Sequence, residues 1–380
     1  MAKFRLATAV FLTTAVFCWG CNAQEVADFA DGVEITNLLL SDGDKTFLAR
    51  DVNTDGRIDL VVAEEAENQI VMLLNDGEGG FNEAAYYPAG DEPASVTALD
   101  LNGDGNIDLA IANHESDSIT LLAGDGAGRF TSAEHSPVAI VTEPHSHMIK
   151  AKDFNNDGST DLIVDSRDRL GVYILSGQPG GSFNAPGQGI DVGGAPYLGF
   201  AVGDINNDAA PDLVTPNNDS ISILMNRSAG KIAFEHVASI PIDAPFAAAL
   251  GDTNGDSWTD LIVASERQNS GVTVLVGNGQ GDFNKSTSFP MAAGAKTIAT
   301  GDANGDGLLD AVITSWNADI LLIFGGDTVS PQKLPIGEIE NPWSAAFGDF
   351  DGDGRDEIVV GDASNGLVNI YSLDMANSRQ

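Results

Sequence analysis

Apolar residues along this chain fall in short runs separated by polar turns. Leu60-Val61-Val62-Ala63 is followed by Ile70 to Leu74, and Leu261-Ile262-Val263-Ala264 by Val272 to Val276, each pair closing on a glycine-containing turn. Runs this short and this rich in β-branched residues predict strands, and no segment carries a 3.6-residue apolar period. Between a preceding apolar stretch and the first run of each pair stands a nine-residue polar string that recurs seven times. The copies begin at Asp51, Asp100, Asp153, Asp204, Asp252, Asp302 and Asp349, at spacings of 49, 53, 51, 48, 50 and 47 residues. In the first five copies a phenylalanine keeps register with the string: Phe81, Phe130, Phe183 and Phe234 lie 30 residues after its first Asp, and Phe283 lies 31 after it.

Four short strands per repeat is the unit of a β-propeller blade, so the pattern predicts an all-β, seven-bladed β-propeller with four-stranded antiparallel blades. After the last string only two strands remain, Glu357 to Val360 and Leu367 to Leu373, while Glu34 to Leu40 precedes the first. That N-terminal strand is therefore expected to complete the C-terminal blade and close the ring, removing two open sheet edges. The expected organisation is a signal peptide over 1–20, a linker over 21–32, the propeller over 33–375 and a tail over 376–380.

The recurring string is dense in oxygen donors. Positions one, three, five and nine are Asp51, Asn53, Asp55 and Asp59; Asp100, Asn102, Asp104 and Asp108; Asp153, Asn155, Asp157 and Asp161; and Asp204, Asn206, Asp208 and Asp212 in the first four copies. They are Asp252, Asn254, Asp256 and Asp260; Asp302, Asn304, Asp306 and Asp310; and Asp349, Asp351, Asp353 and Glu357 in the last three. A main-chain carbonyl at position seven, from Arg57, Asn106, Ser159, Ala210, Trp258, Leu308 or Arg355, can complete each set. Hard oxygen ligands on one tight loop suit calcium, up to seven ions, one per blade. The loop is not an EF-hand, because position twelve is apolar, as at Val62 or Ile111, where that motif needs a bidentate Glu. Ala209 and Ser257 replace the position-six glycine of the other five copies, and Pro211 restricts Ala210 before it, so the fourth loop is expected to be the weakest site.

With these motifs the chain resembles the FG-GAP and VCBS repeat proteins, whose relatives include the integrin alpha-chain propeller and a seven-bladed fungal lectin. The resemblance covers residues 33 to about 375. It implies that each Asp-x-Asx-x-Asp-Gly-x-x-Asp loop joins the first and second strands of a blade on one face of the ring and holds one calcium. Similar propellers form the body of some polysaccharide lyases, so the resemblance leaves a lyase-like enzyme open as the alternative to a non-catalytic binding module.

Charge agrees with a cation-binding chain. Against 18 Lys and Arg stand 56 Asp and Glu, a formal net charge of −38, which repels nucleic-acid phosphates and leaves nucleic acid an unsuitable partner. The N-terminus reads as an export signal: Lys3 and Arg5, then the apolar stretch Leu6 to Phe17, then Gly20-Cys21. Two cleavage points compete. One before Cys21 would leave a thiol for lipid attachment and a membrane anchor; one after Ala23 would leave a soluble secreted chain. Both place a monomeric protein outside the cytoplasm, tethered to the outer membrane or in the periplasm, or secreted.

The face opposite the acidic loops is where the repeats stop resembling one another. The turns entering the first strands carry Lys45, Ala94, His145 with His147, Tyr197, Phe246, Lys296 and Trp343; those joining the second and third strands carry Glu64, His114, Arg167, Arg169, Asn217, Arg267 and Trp316. Aromatic rings and cations on one rim suit an acidic glycan or a protein loop, or they plug the channel and relieve acidic repulsion. Tyr197, Lys296, Arg267 and the histidines are the acid–base candidates of the enzymatic alternative. His145-Ser146-His147 puts two imidazoles on one side of a strand, a partial zinc set lacking a third ligand. The GDGAG and GNGQG stretches at Gly124 and Gly277 lie between strands without a following helix and read as hairpin turns, not phosphate loops.

Overall fold

The computed structural model describes residues 9–10, 27–28 and 32–374, apart from 79, 83, 141–144, 167–170, 195–198, 317–318 and 327–329. Residues 1–8 and 11–26, which include most of the stretch expected to be an export signal and Cys21, lie outside the described residues, as do the rim candidates Arg167, Arg169 and Tyr197. Seven antiparallel blades follow one another along the chain. Blade 1 is Lys45–Arg50, Asp59–Glu64, Gln69–Leu73 and Ala85–Pro88. The innermost strands of the others are Pro93–Leu99, Ile149–Lys152, Ala201–Gly203, Pro245–Gly251, Ala295–Gly301 and Pro342–Gly348. In every blade the second strand opens on position nine of the acidic string, at Asp59, Asp108, Asp161, Asp212, Asp260, Asp310 and Glu357.

The ring closes as the strand count predicts. Gly32–Leu39 pairs antiparallel with Leu367–Asp374 along its whole length and becomes the outer strand of blade 7. Pro342–Gly348 then packs beside Lys45–Arg50, bringing blade 7 against blade 1. The Ser344 hydroxyl donates to the Lys45 carbonyl, and Asn75 Nδ2 donates to the Phe350 carbonyl at 2.7 Å, so the seam is hydrogen-bonded towards both faces. Two short additions extend the edges: Ala9–Val10 pairs with Glu34–Ile35, and Ala27–Asp28 runs parallel to Gln332–Lys333.

The apolar interior is divided into seven clusters, one between each pair of neighbouring blades. Second strands are buried along their whole length, and their side chains alternate between two clusters. Leu60 and Val62 join blade 7's residues, whereas Val61 and Ala63 join those of blade 2. This explains why the runs are continuously apolar: a sheet sandwiched on both faces has no solvent side. The five register phenylalanines each pack into the cluster shared with the preceding blade. There they meet position-two residues of that blade's acidic string, as where Phe81 packs edge-on to Phe350 at 5.6 Å and Phe234 to Phe154 at 6.1 Å. Phe130, Phe234 and Phe283 also open a fourth strand. Phe183 instead sits in a small hairpin, Gly177–Gln178 with Ser182–Phe183, because blade 3 reaches its fourth strand later, at Gln188–Asp191.

Closure makes Ile35 a cluster residue between blades 6 and 7, whereas Leu39 of the same strand is exposed. Ile35→Ala should lower unfolding free energy by about 2–4 kcal/mol and Leu39→Ala by less than about 0.5 kcal/mol. Denaturant titration of the two variants checks the pairing.

Candidate metal loops and the channel mouth

The seven acidic loops share one hydrogen-bond scheme. The position-six amide donates to a carboxylate oxygen of position one, at 2.9 Å for Gly56 on Asp51 and 3.0 Å for Gly354 on Asp349. The position-five amide donates to the side-chain oxygen of position three, and the position-seven amide to the carboxylate of position five, as for Asp55, Asn53 and Arg57. The same pair of bonds recurs in all six other loops. These bonds curl the chain so that the oxygens of positions one, three and five converge. In the seventh loop one carboxylate oxygen from each of Asp349, Asp351 and Asp353 lies within 4.8 Å of the others. Such an all-oxygen set fits a hard cation.

Two positions permit this curl. Position six has positive φ in every loop, including Ala209 at 66° and Ser257 at 68°, and Ala209 still donates to Asp204 at 2.8 Å. The fourth loop thus keeps its shape with a side chain where the other loops mostly carry glycine. Position four is also left-handed throughout, at Thr54, Asn156 and Asn207 as well as at four glycines. The Gly, Asn and Thr choices at position four are the sequence signal of that conformation.

Position nine does a second job. Each of its carboxylates accepts the position-two amide, at 3.0 Å for Val52 on Asp59 and 2.8 Å for Phe350 on Glu357. In blades 1 to 6 the other oxygen accepts an amide just after or at the end of the third strand: Asn75, Gly124, Gly177, Asn226, Gly277 or Gly325. The carboxylate therefore ties the loop to the sheet, most tightly at Asp260, whose Oδ2 also accepts from the Thr253 hydroxyl and Asn254 Nδ2. Burial pushes these groups up, to about 6 for Asp212 and about 7 for Asp310 and Glu357, with the amide bonds opposing the shift and neighbouring acids of the same loop adding to it, at positions five and one for Asp212 and Asp310 and at three and one for Glu357. Glycine at 124, 177 and 277 is required by close approach, since a Cβ would meet the position-eight carbonyl at 2.2, 2.2 and 2.1 Å.

The opposite face is built by the turns entering each first strand and those after each second strand, joined in several blades by an amide–carbonyl bond such as His114 to Glu92 at 2.7 Å. It has two unlike sides. Over blades 5 to 7, Lys296 Nζ lies 3.9 Å from the centroid of the Trp343 ring and 4.3 Å from that of Trp316. Trp316 is edge-on to both Trp343 and Phe246, and Asn341 Oδ1 accepts from Lys296 at 3.2 Å. Lys45, Phe246 and Lys296 are buried beneath the rim, at 1%, 3% and 1% exposure, so they would act on a ligand through the residues above them. Trp316, 45% exposed, is the ring that faces solvent. Arg267 is exposed and paired with Asp243.

Over blades 1 to 3 the mouth is acidic and histidine-rich. Asp44, Glu65 and Glu92 crowd one another, and burial followed by these neighbours pushes Glu65 up to about 8. His114, His145 and His147 gather beside them, with His114 Nε2 and His145 Nδ1 at 2.9 Å. His145 and His147 stand in the coil before Ile149–Lys152, not in the strand itself, and their rings are nearly parallel. Glu64 and Asn217 are buried turn supports: Glu64 accepts from Ser41 and Gln69, and Asn217 donates to the Val192 carbonyl. The glycine stretches at 124 and 277 are hairpin turns in which Asp125 and Asn278 each accept two amides.

The sequence profile described as FG-GAP-like repeat matches residues 51–111, 100–164, 153–215, 252–313 and 302–360. The chain belongs to the FG-GAP-like repeat family. No curated protein matches it. Among solved structures, this FG-GAP chain resembles BBS1N, crystallised in complex with ARL6DN, at 15% identity and a TM-score of 0.61, over 89% of this chain and 96% of that one. It also resembles an Agrocybe aegerita lectin that recognises non-reducing terminal N-acetylglucosamine, at 15% identity and a TM-score of 0.53, over 88% and 86% of the two chains. A catalytically inactive virginiamycin B lyase from Staphylococcus aureus, with quinupristin, aligns at 14% identity and a TM-score of 0.55, over 90% and 100%. At these identities the likeness is one of fold.

Two predictions follow from the FG-GAP loops and mouth. Ala209→Gly should raise stability by about 1 kcal/mol by relieving the positive φ, measured by denaturant titration. Burial pulls Lys296 down to about 8, with Asp44 and Asp362 resisting. Its folded value lies below its unfolded one, so the unfolded chain binds more protons between about pH 8 and 10.5 and stability from this group rises with pH there. The stability difference between wild type and Lys296→Met should change across that window and be flat below it.

Proposed function

We propose that the protein is an exported, calcium-stabilised binding module that receives a protein loop or a glycan on the mouth face. The observation that carries this reading is the contrast between the two faces. Seven loops of one geometry turn their oxygens inward on one side, whereas the other side presents a single, unrepeated arrangement around the exposed Trp316. Seven copies of a hard-ligand loop suit calcium in its structural use, since bound ions would offset crowded carboxylates in a chain of net charge −38. An extracellular module binding calcium with Kd of about 0.1–1 mM would gain roughly 1.4 kcal/mol per site at tenfold excess. Export and, through Cys21, a lipid anchor rest on the sequence of the leader alone. Fold relatives crystallised with a protein or described as recognising a glycan support a partner of either class.

The experiment pairs stability with binding. Unfolding temperature should rise by several degrees or more between chelator and millimolar calcium; equal values overturn the calcium reading. In millimolar calcium, a glycan array or partner titration should show binding that Trp316→Ala weakens at least tenfold while leaving the unfolding temperature unchanged. Unaltered binding by that variant would remove the mouth face from the reading.

A further inference from the structure

Three of the chain's five histidines meet at one point of the mouth, where blades 2 and 3 adjoin. His114 and Glu115 follow the second strand of blade 2, and His145 stands in the turn entering blade 3. One ligand atom from each of these three residues can be chosen so that all lie within 4.8 Å of one another. We propose that His114, Glu115 and His145 form a site for a divalent transition-metal ion of the zinc class, separate from the oxygen loops on the opposite face.

The donor set selects the metal class. Two imidazole nitrogens and one carboxylate are borderline ligands suited to zinc and its first-row neighbours, and they are poor ligands for calcium or magnesium. His114 Nε2 and His145 Nδ1 stand 2.9 Å apart, and the Glu115 carboxylate lies 3.5 Å from His145 Nδ1. Tetrahedral zinc with Zn–N of about 2.0–2.1 Å needs its nitrogens roughly 3.3 Å apart, so the rings need to part by only about 0.4 Å to admit the ion.

The surroundings orient the rings as outer partners of a metal site do. His114 Nδ1 lies 3.1 Å from Glu92 Oε2 and 3.4 Å from Glu115 Oε1, two acceptors that favour the proton on Nδ1 and leave Nε2 turned to His145. Behind His114 lies His147, its ring centroid 4.5 Å away and its Nδ1 3.4 Å from the fully buried carboxylate of Asp165. His147 thus stands as a wall of the site, held by the same element that supplies His145. His145 holds φ at 132°, and its ring reaches across the blade junction to His114.

The site is also accessible. His114, His145 and Glu115 side chains are 19%, 35% and 44% exposed, so three protein ligands leave a coordination position open to the mouth. Water or a ligand carboxylate can occupy it. The ion would bridge two blades and place a positive charge on the acidic side of the rim.

Purified full-length protein in about 10 mM calcium, a competitor for the hard-oxygen loops, is titrated with zinc chloride by calorimetry, and zinc retained after gel filtration is counted by elemental analysis. One zinc per chain with micromolar or tighter Kd is expected. His145→Ala and His114→Gln should each weaken it at least a hundredfold, and Glu92→Gln, which removes an orienting group only, about tenfold to a hundredfold. Cobalt(II) in place of zinc should give the visible absorption of a low-symmetry nitrogen-ligated site, lost in His145→Ala. Each variant's unfolding temperature in calcium is measured alongside; where one fails to fold, Glu115→Gln replaces it in the comparison. Absence of retained zinc in the wild type, or equal binding by folded His114→Gln and His145→Ala, overturns the site.

Discussion

A four-stranded sheet that is apolar on both faces cannot stand at a surface, and every blade of this protein is such a sheet. Val61 and Ala63 look towards one neighbour while Leu60 and Val62 look towards the other. Each blade therefore needs two partners, and only a closed ring supplies two to all seven. Closure in turn makes the outer strand Gly32–Leu39 a part of blade 7 and sends every connection to one of two opposite faces. The apolar interior that results is seven thin layers, not one core.

On one face the connections are under a common demand. Each must turn tightly from an innermost strand into a buried second strand, and position nine meets that demand with a carboxylate fixed by amides on both sides in six blades. Burying a carboxylate is costly to its charged form, and the upward shifts at Asp212, Asp310 and Glu357 express that cost. The bonds that shape the loop and the crowding of its carboxylates are thus two aspects of one arrangement. Carboxylates that shape the turn also leave it short of positive charge.

The other face carries no such demand, which is why it can vary. Turn-holding groups such as Glu64, Asn113, Asn217 and Asp362 recur there in role but not in identity, each accepting or donating to main chain of its own or an adjoining turn. Residues above them are free to differ, and they segregate into an aromatic–lysine side and a histidine–carboxylate side.

The period near fifty residues, the short apolar runs and the strand left over at the N-terminus determined the all-β class, the blade number and the closing pair, because these depend on local strand propensity and on counting. The acidic string determined which loops share one conformation, since its bonds run between residues two to seven positions apart. Sequence reasoning could place His114, His145, Lys296, Trp316 and Trp343 on one face, but only the ring's curvature decided which of them touch. His114 meets His145 across 31 residues, and Lys296 lies between two tryptophans from different turns. Burial was likewise a tertiary decision: Lys45 and Lys296 read as rim charges in the chain, and neighbouring blades close over them. Contacts between blades join residues tens to hundreds of positions apart, and no local pattern encodes the angle at which one blade meets the next.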